Sequence, residues 1–135
     1  MIKSLLFHIG DPKTGTTSIQ AAMQARAWQA PSLQLAVQPE TNASALANSI
    51  HPGKGNAHKR QTHFARKAAW ACEETADLGL VSAEFFAGVR PGALKAALHE
   101  FLPEQAAQTR ILGYARGHAE RFLSVYAQRV KTGSF

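Results

Sequence analysis

The sequence predicts an α/β domain in three layers, with a mostly parallel sheet and helices on both faces. Three observations carry this. Short apolar runs bounded by turn residues alternate with segments of helical periodicity, in the order β, α, (β), α, β, α, β, α. Strands separated by helices pair in parallel and are covered on both sides. The composition, 45% hydrophobic against 18% charged over 135 residues, supplies one core and one domain, 1–135. It excludes a disordered chain, a collagen-like repeat and a long coiled coil.

Residues 2–9 read as a buried strand that ends at Gly10. A turn covers 10–15, and a helix begins near Thr16 with Ile19, Ala22 and Met23 as its inner stripe. It ends before Pro31. Residues 33–37 read as a short strand. From 38 to 61, Pro39, Pro52, Gly53 and Gly55 mark a long loop, interrupted by a short helix at 43–50. Residues 62–75 are Ala-rich. Phe64, Ala68 and Cys72 recur at i+4, which predicts a helix with Cys72 in its core stripe. A second buried strand covers 78–83. Pro91 suits the first position of a helix whose Leu94, Ala97, Leu98 and Phe101 form one stripe, with Pro103 just past its end. Residues 109–114 are the next strand. The last helix, 118–131, places Ala119, Phe122, Leu123, Tyr126 and Val130 on one face, and Gly133 suits its cap.

Lys and Arg number 15 against 9 Asp and Glu, a formal charge of +6. That favours an anionic partner such as a phosphate, a sulfate, a nucleic acid or a lipid head group. The densest cluster is Lys54, His58, Lys59, Arg60, His63, Arg66 and Lys67. A nucleic-acid surface would add stacking aromatics, and only Phe64 and Trp70 are near. The cluster therefore reads as a solvated helix face, and no nucleic-acid partner is expected. No apolar run is long enough to span a bilayer. The single cysteine excludes an internal disulfide, and residues 1–9 are too short for a signal sequence. A cytoplasmic protein is expected. His51, His58 and His63 lack the spacing of a zinc site, so no metal is expected, and His8 reads as a buried strand residue.

The most informative segment is His8-Ile9-Gly10-Asp11-Pro12-Lys13-Thr14-Gly15-Thr16-Thr17-Ser18-Ile19-Gln20. It comes after a strand and opens a helix, a context in which successive backbone N–H groups cradle an anion. The nucleotide-binding P-loop reads G-x-x-x-x-G-K-[ST]. Gly10 and Gly15 keep that spacing and Thr17 keeps the hydroxyl, but Thr16 stands where the lysine belongs and Lys13 lies inside the loop. The displaced lysine argues against magnesium-bound triphosphate chemistry. It permits a phosphate or phosphosulfate site.

Pro12-Lys13-Thr14-Gly15-Thr16-Thr17 resembles the 5′-phosphosulfate-binding loop of the sulfotransferases that use PAPS (3′-phosphoadenylyl sulfate). The longer segment is similar to bacterial sulfotransferase-like proteins. Tyr114-Ala115-Arg116, with Ser124 eight residues further on, resembles the family's 3′-phosphate motif. The resemblance runs from residue 2 to about 133. It implies a P-loop-like fold and transfer of a sulfuryl group from PAPS to a hydroxyl acceptor, carbohydrate or lipid, without a metal. Lys13 would neutralise the leaving phosphate oxygen. Lys13, Thr14, Gly15, Thr16 and Thr17 would hold the 5′-phosphate, and Arg116 and Ser124 the 3′-phosphate. Glu84, at the end of the second strand, would take the acceptor proton, with His118 as the competing base. Complete members are longer and carry further cofactor and acceptor segments after the 3′-phosphate helix, so the chain is expected to be a truncated product, a fragment, or a minimal form completed by another subunit. Two other classes stay open: a non-catalytic nucleotide- or anion-binding module, and a small P-loop kinase-like enzyme. The acceptor and the oligomeric state are not legible.

Overall fold

The strand β1 (Ile2–Gly10) is hydrogen-bonded on both sides. It pairs in parallel with β3 (Ala76–Ala83), from Ile2 opposite Ala76 to Ile9 opposite Ala83. On its other side it pairs in parallel with β4 (Arg110–Tyr114), from Leu6 opposite Arg110 to Gly10 opposite Tyr114. A three-residue strand, β2 (Leu35–Val37), adds to the outer side of β3, giving the order β2-β3-β1-β4. The computed structural model describes residues 1–10, 16–29, 31–114 and 117–133.

All four strands are parallel and helices lie on both faces, as the sequence predicts. Alternate residues of a strand point to opposite faces. Leu5 and Phe7 of β1 and Val81 and Ala83 of β3 face one side and are fully buried. There they meet the helices α2 (Ser44–Ser49), α3 (Ala57–Glu73), α4 (Pro91–Phe101) and the short α5 (Pro103–Ala106). Phe64, Trp70 and Ala71 come from α3, and Leu94, Ala97 and Leu98 from α4. Phe7 meets Phe86, in a 3₁₀ turn at Glu84–Gly88, edge to face at 5.2 Å. Burying a side chain of this size stabilises by about 1.5–3 kcal/mol. Gln105 of α5 donates to the Ile2 carbonyl at 2.9 Å, which satisfies the start of β1.

The helix α1 (Thr16–Gln24) covers the carboxyl-terminal part of the other face. The remainder of that face is a groove of about 580 Å³ along Ser4, Leu6, Leu33 and Leu78. α1 closes on a Schellman motif: Ala27 N–H donates to Ala22 O and Arg26 N–H to Met23 O. Arg26 holds the left-handed position, φ 52°, where glycine is usual.

Five expectations need correction. α3 starts at Ala57 rather than 62, because Asn56 caps it by accepting from Lys59 N–H at 2.8 Å. Its buried stripe is Phe64, Lys67 and Ala71, so Cys72 is exposed rather than in the core. Lys67 therefore leaves the basic cluster that reads as solvated. On α1, Gln20 and Met23 are buried and Ala22 is exposed. The last helix, α6 (His118–Thr132), is amphipathic as expected, but its apolar stripe is not covered. Phe122 is 68% exposed and Leu123 64%.

Gly79 sits where β1, β3 and α3 come closest. A Cβ there would lie 2.8 Å from Leu5 Cδ2, 3.0 Å from Ile2 Cδ1 and 3.0 Å from Trp70 Cη2. Overpacking costs about 1–3 kcal/mol, partly offset by the gain from removing a strand glycine. Gly79→Ala is expected to lower stability by about 1–2 kcal/mol in urea unfolding, with an unchanged slope. Arg26→Gly is expected to raise stability by about 1 kcal/mol in the same measurement.

Candidate functional site

The carboxyl ends of β1, β3 and β4 stop at the same level. Ile9 is opposite Ala83 and Gly10 is opposite Tyr114. The three strands therefore release the chain along one edge of the sheet. The connection from β1 runs through α1 on one face, and that from β3 through α4 on the other. Between strand ends that diverge in this way, an open parallel sheet forms a crevice where ligands bind.

Of the candidate residues, Lys13, Thr14 and Gly15 lie outside the described residues, as does Arg116. Thr16 is the first residue of α1, and Thr17 is exposed in its first turn. The N–H groups of that first turn have no acceptor within the helix, and its dipole favours an anion. Glu84 comes directly after the last residue of β3, opens the 3₁₀ turn and is half-buried. His118 opens α6, and Ser124 lies half-buried further along it, ~9 Å from its start at 1.5 Å per residue. The structure thus brings the ends of three strands, the start of α1 and Glu84 to one rim.

A buried polar network supports that rim, and sequence reasoning missed most of it. Ser82, fully buried near the end of β3, is its centre. Its hydroxyl lies 2.8 Å from His8 Nδ1 of β1 and accepts from Gln20 Nε2 of α1 at 3.2 Å. Its peptide is clamped by one side chain: Gln38 Oε1 accepts from Ser82 N–H at 2.9 Å, and Gln38 Nε2 donates to Ser82 O at 3.1 Å. Ala43 N–H donates to the same carbonyl at 2.7 Å. β2 ends at Val37, so the Gln38 amide takes over from the missing strand backbone. Gln24 Nε2 reaches the carbonyls of Gln38 and Glu40, tying α1 to the same segment.

Beside this segment stands an ion pair. Lys67 Nζ donates to Glu40 Oε1 at 2.5 Å and lies 4.8 Å from the centroid of the Trp70 ring. The Lys67 side chain is 5% exposed. The signal was present, since Lys67 stands three residues after Phe64 on the stripe that also holds Ala71. Among the described residues, no group of three or more His, Cys, Asp or Glu stands where it could hold a metal ion, and no helix is long and apolar enough to cross a membrane.

His8 is buried, as expected, and burial holds its imidazole below the ordinary value of 6.5. As pH falls, the unfolded chain takes up a proton at His8 before the folded protein does. Stability from this group is therefore complete above pH 6.5 and is lost as pH falls from there toward the depressed folded value. Its slope reaches at most about 1.4 kcal/mol per pH unit. Urea unfolding at pH 7.5 and 5.0 is expected to show this loss, and His8→Gln is expected to reduce it. No family model matches the chain, and no curated protein matches it.

Proposed function

We propose that the protein binds PAPS at this rim and transfers its sulfuryl group to a hydroxyl acceptor. The observation that supports this reading is the register of β1 and β4. Gly10 is opposite Tyr114 on adjacent strands, so the two strand ends that precede Lys13 and Arg116 in sequence lie side by side. Neighbouring strands are about 4.8 Å apart. A nucleotide carrying phosphate at both 5′ and 3′ positions asks for two anion-binding segments at such short range.

In this reading, Lys13 and the α1 N-terminus hold the 5′-phosphosulfate, with the hydroxyls of Thr16 and Thr17 as further donors. Arg116 and Ser124 hold the 3′-phosphate. The acceptor oxygen attacks sulfur in line. One S–O bond forms to the acceptor as the S–O bond to the phosphate breaks, and adenosine 3′,5′-bisphosphate leaves. Glu84, or His118, takes the acceptor proton. As in phosphoryl transfer, the protein mainly positions the reactants and stabilises spread charge. The +6 charge and the network around Ser82 support such a role, the first by attracting a polyanion and the second by fixing the strand end that carries Glu84.

Calorimetric titration with adenosine 3′,5′-bisphosphate tests the reading. One-to-one binding is expected, weaker by roughly tenfold to a hundredfold in Lys13→Ala and Arg116→Ala, since a hydrogen bond to a charged group contributes about 1.5–3 kcal/mol. Absence of binding overturns it, as does binding that neither substitution changes. Binding without sulfuryl transfer to any hydroxyl acceptor identifies a non-catalytic module instead. Magnesium-dependent binding of ATP with no preference for a 3′-phosphate identifies kinase-like chemistry.

A further inference from the structure

A second charged pocket lies between α3 and the segment just after β2. It encloses about 170 Å³, the volume of about five water molecules. None of its lining belongs to the loop at 10–17. His63, Arg66 and Lys67 line it from one face of α3, at the i, i+3, i+4 spacing that stacks side chains on a helix. Glu40 lies across from them. Ala43, Ala45 and Leu46 form an apolar wall.

The charges do not balance. With His63 neutral, the lining carries two positive charges and one negative. Glu40 is committed to Lys67 at 2.5 Å. The Arg66 side chain has no ion-pair partner among the described residues, and the residue is exposed where it lines the pocket. Lys67 offers three N–H donors, of which Glu40 engages one among the described residues. Burial pushes the Lys67 ammonium below its ordinary value. The Glu40 carboxylate pulls it back, and the neighbouring Arg66 adds to the lowering. A second anion beside Lys67 would relieve both the desolvation and the repulsion.

The shape selects among anions. Arg66 presents a planar fork that matches a carboxylate with two parallel hydrogen bonds. The alanine and leucine wall suits a short hydrocarbon stem, and the other polar residues of the lining are His63 and Asn42, whose Oδ1 already accepts from Ser44 N–H. We propose that this pocket binds a small aliphatic carboxylate, its charge between Arg66 and Lys67 and its stem on Ala43, Ala45 and Leu46.

Propionate is the probe, titrated against the ¹⁵N-labelled protein by NMR with chloride exchanged for propionate at constant ionic strength. Saturable shifts are expected in the amides of 40–46 and 63–67, with no response to propionamide and weaker binding of sulfate. Arg66→Gln removes an exposed charge and leaves the core intact. It is expected to weaken propionate at least tenfold while the remaining spectrum stays native. His63→Gln is expected to change the affinity less than threefold. Linear shifts, or shifts spread equally over Lys54 to Arg60, overturn the site, because they report general attraction to a basic surface. Equal binding of propionamide, or no effect of Arg66→Gln, overturns the role of charge. Sulfate binding as tightly as propionate overturns the assignment to carboxylates.

Discussion

The carboxyl end of β3 is held by side chains, and the rim of the sheet depends on that hold. β2 is only three residues long, so the Ser82 peptide has no β2 residue opposite it on that side. The Gln38 side chain accepts from its N–H and donates to its carbonyl, and Ala43 N–H adds a third bond. The Ser82 hydroxyl meets His8 of β1 and Gln20 of α1. One buried residue thus fixes α1 against the sheet, the segment 38–43 against β3, and the direction in which Glu84 leaves the strand. A net hydrogen bond stabilises by only about 1 kcal/mol, but a buried group deprived of its partner costs about 1–3 kcal/mol. The network is therefore worth most as a constraint on geometry, since any partial rearrangement leaves buried groups unmatched.

The two faces of the sheet use different physics. Beneath α2 to α5 the contacts are apolar: Leu5, Phe7, Phe64, Val81 and Phe86 have almost no exposed surface. Such burial is strong but undirected, and it sets where the helices lie. At the carboxyl end of the other face, His8, Gln20 and Ser82 replace hydrocarbon. At the amino edge the equivalent tie is made by Asp77, which accepts from Lys3 Nζ at 2.6 Å and from Gln34 N–H at 3.0 Å. That tie is largely solvated, and exposed ion pairs contribute little. Directional, dry polar contacts are concentrated at the end of the sheet where the candidate site lies.

The fold was legible because its signals are periodic. Strands at 2–9, 78–83 and 109–114 and the helix after Pro91 emerge from runs and stripes, and Gly133 takes the left-handed cap conformation its position suggests. The misses have physical causes. His58, Lys59 and Arg60 hide the first turn of α3, which is set by the Asn56 cap rather than by hydrophobic periodicity. The i+4 spacing of Phe64, Ala68 and Cys72 drifts around the helix, and by Cys72 it has left the buried stripe. Ser82 and Gln38 carry no sequence signal, since their pairing depends on where β2 stops. Lys67 was readable as a stripe position, but a charged residue there is expected to be solvated unless its partner is known. Glu40 lies 27 residues away.

α6 shows how a helix can form without the burial that usually stabilises it. Its Phe122, Leu123, Tyr126 and Val130 are all at least half exposed. Local terms among the described residues contribute to its stability. Glu120 lies in the first turn and Arg129 and Lys131 in the last, each complementing the nearer end of the dipole. Phe122 and Tyr126 stack at i, i+4 with centroids 6.2 Å apart. Gly133, at φ 65°, closes the end, and its N–H is shared between the carbonyls of Arg129 and Val130. These terms act along the helix axis and none of them fixes the direction in which the helix points. The strand before it, β4, ends at Tyr114 in register with Gly10. Ser124 stands within the first two turns, ~9 Å along the axis from His118 at 1.5 Å per residue, on the half of the helix nearer in sequence to β4.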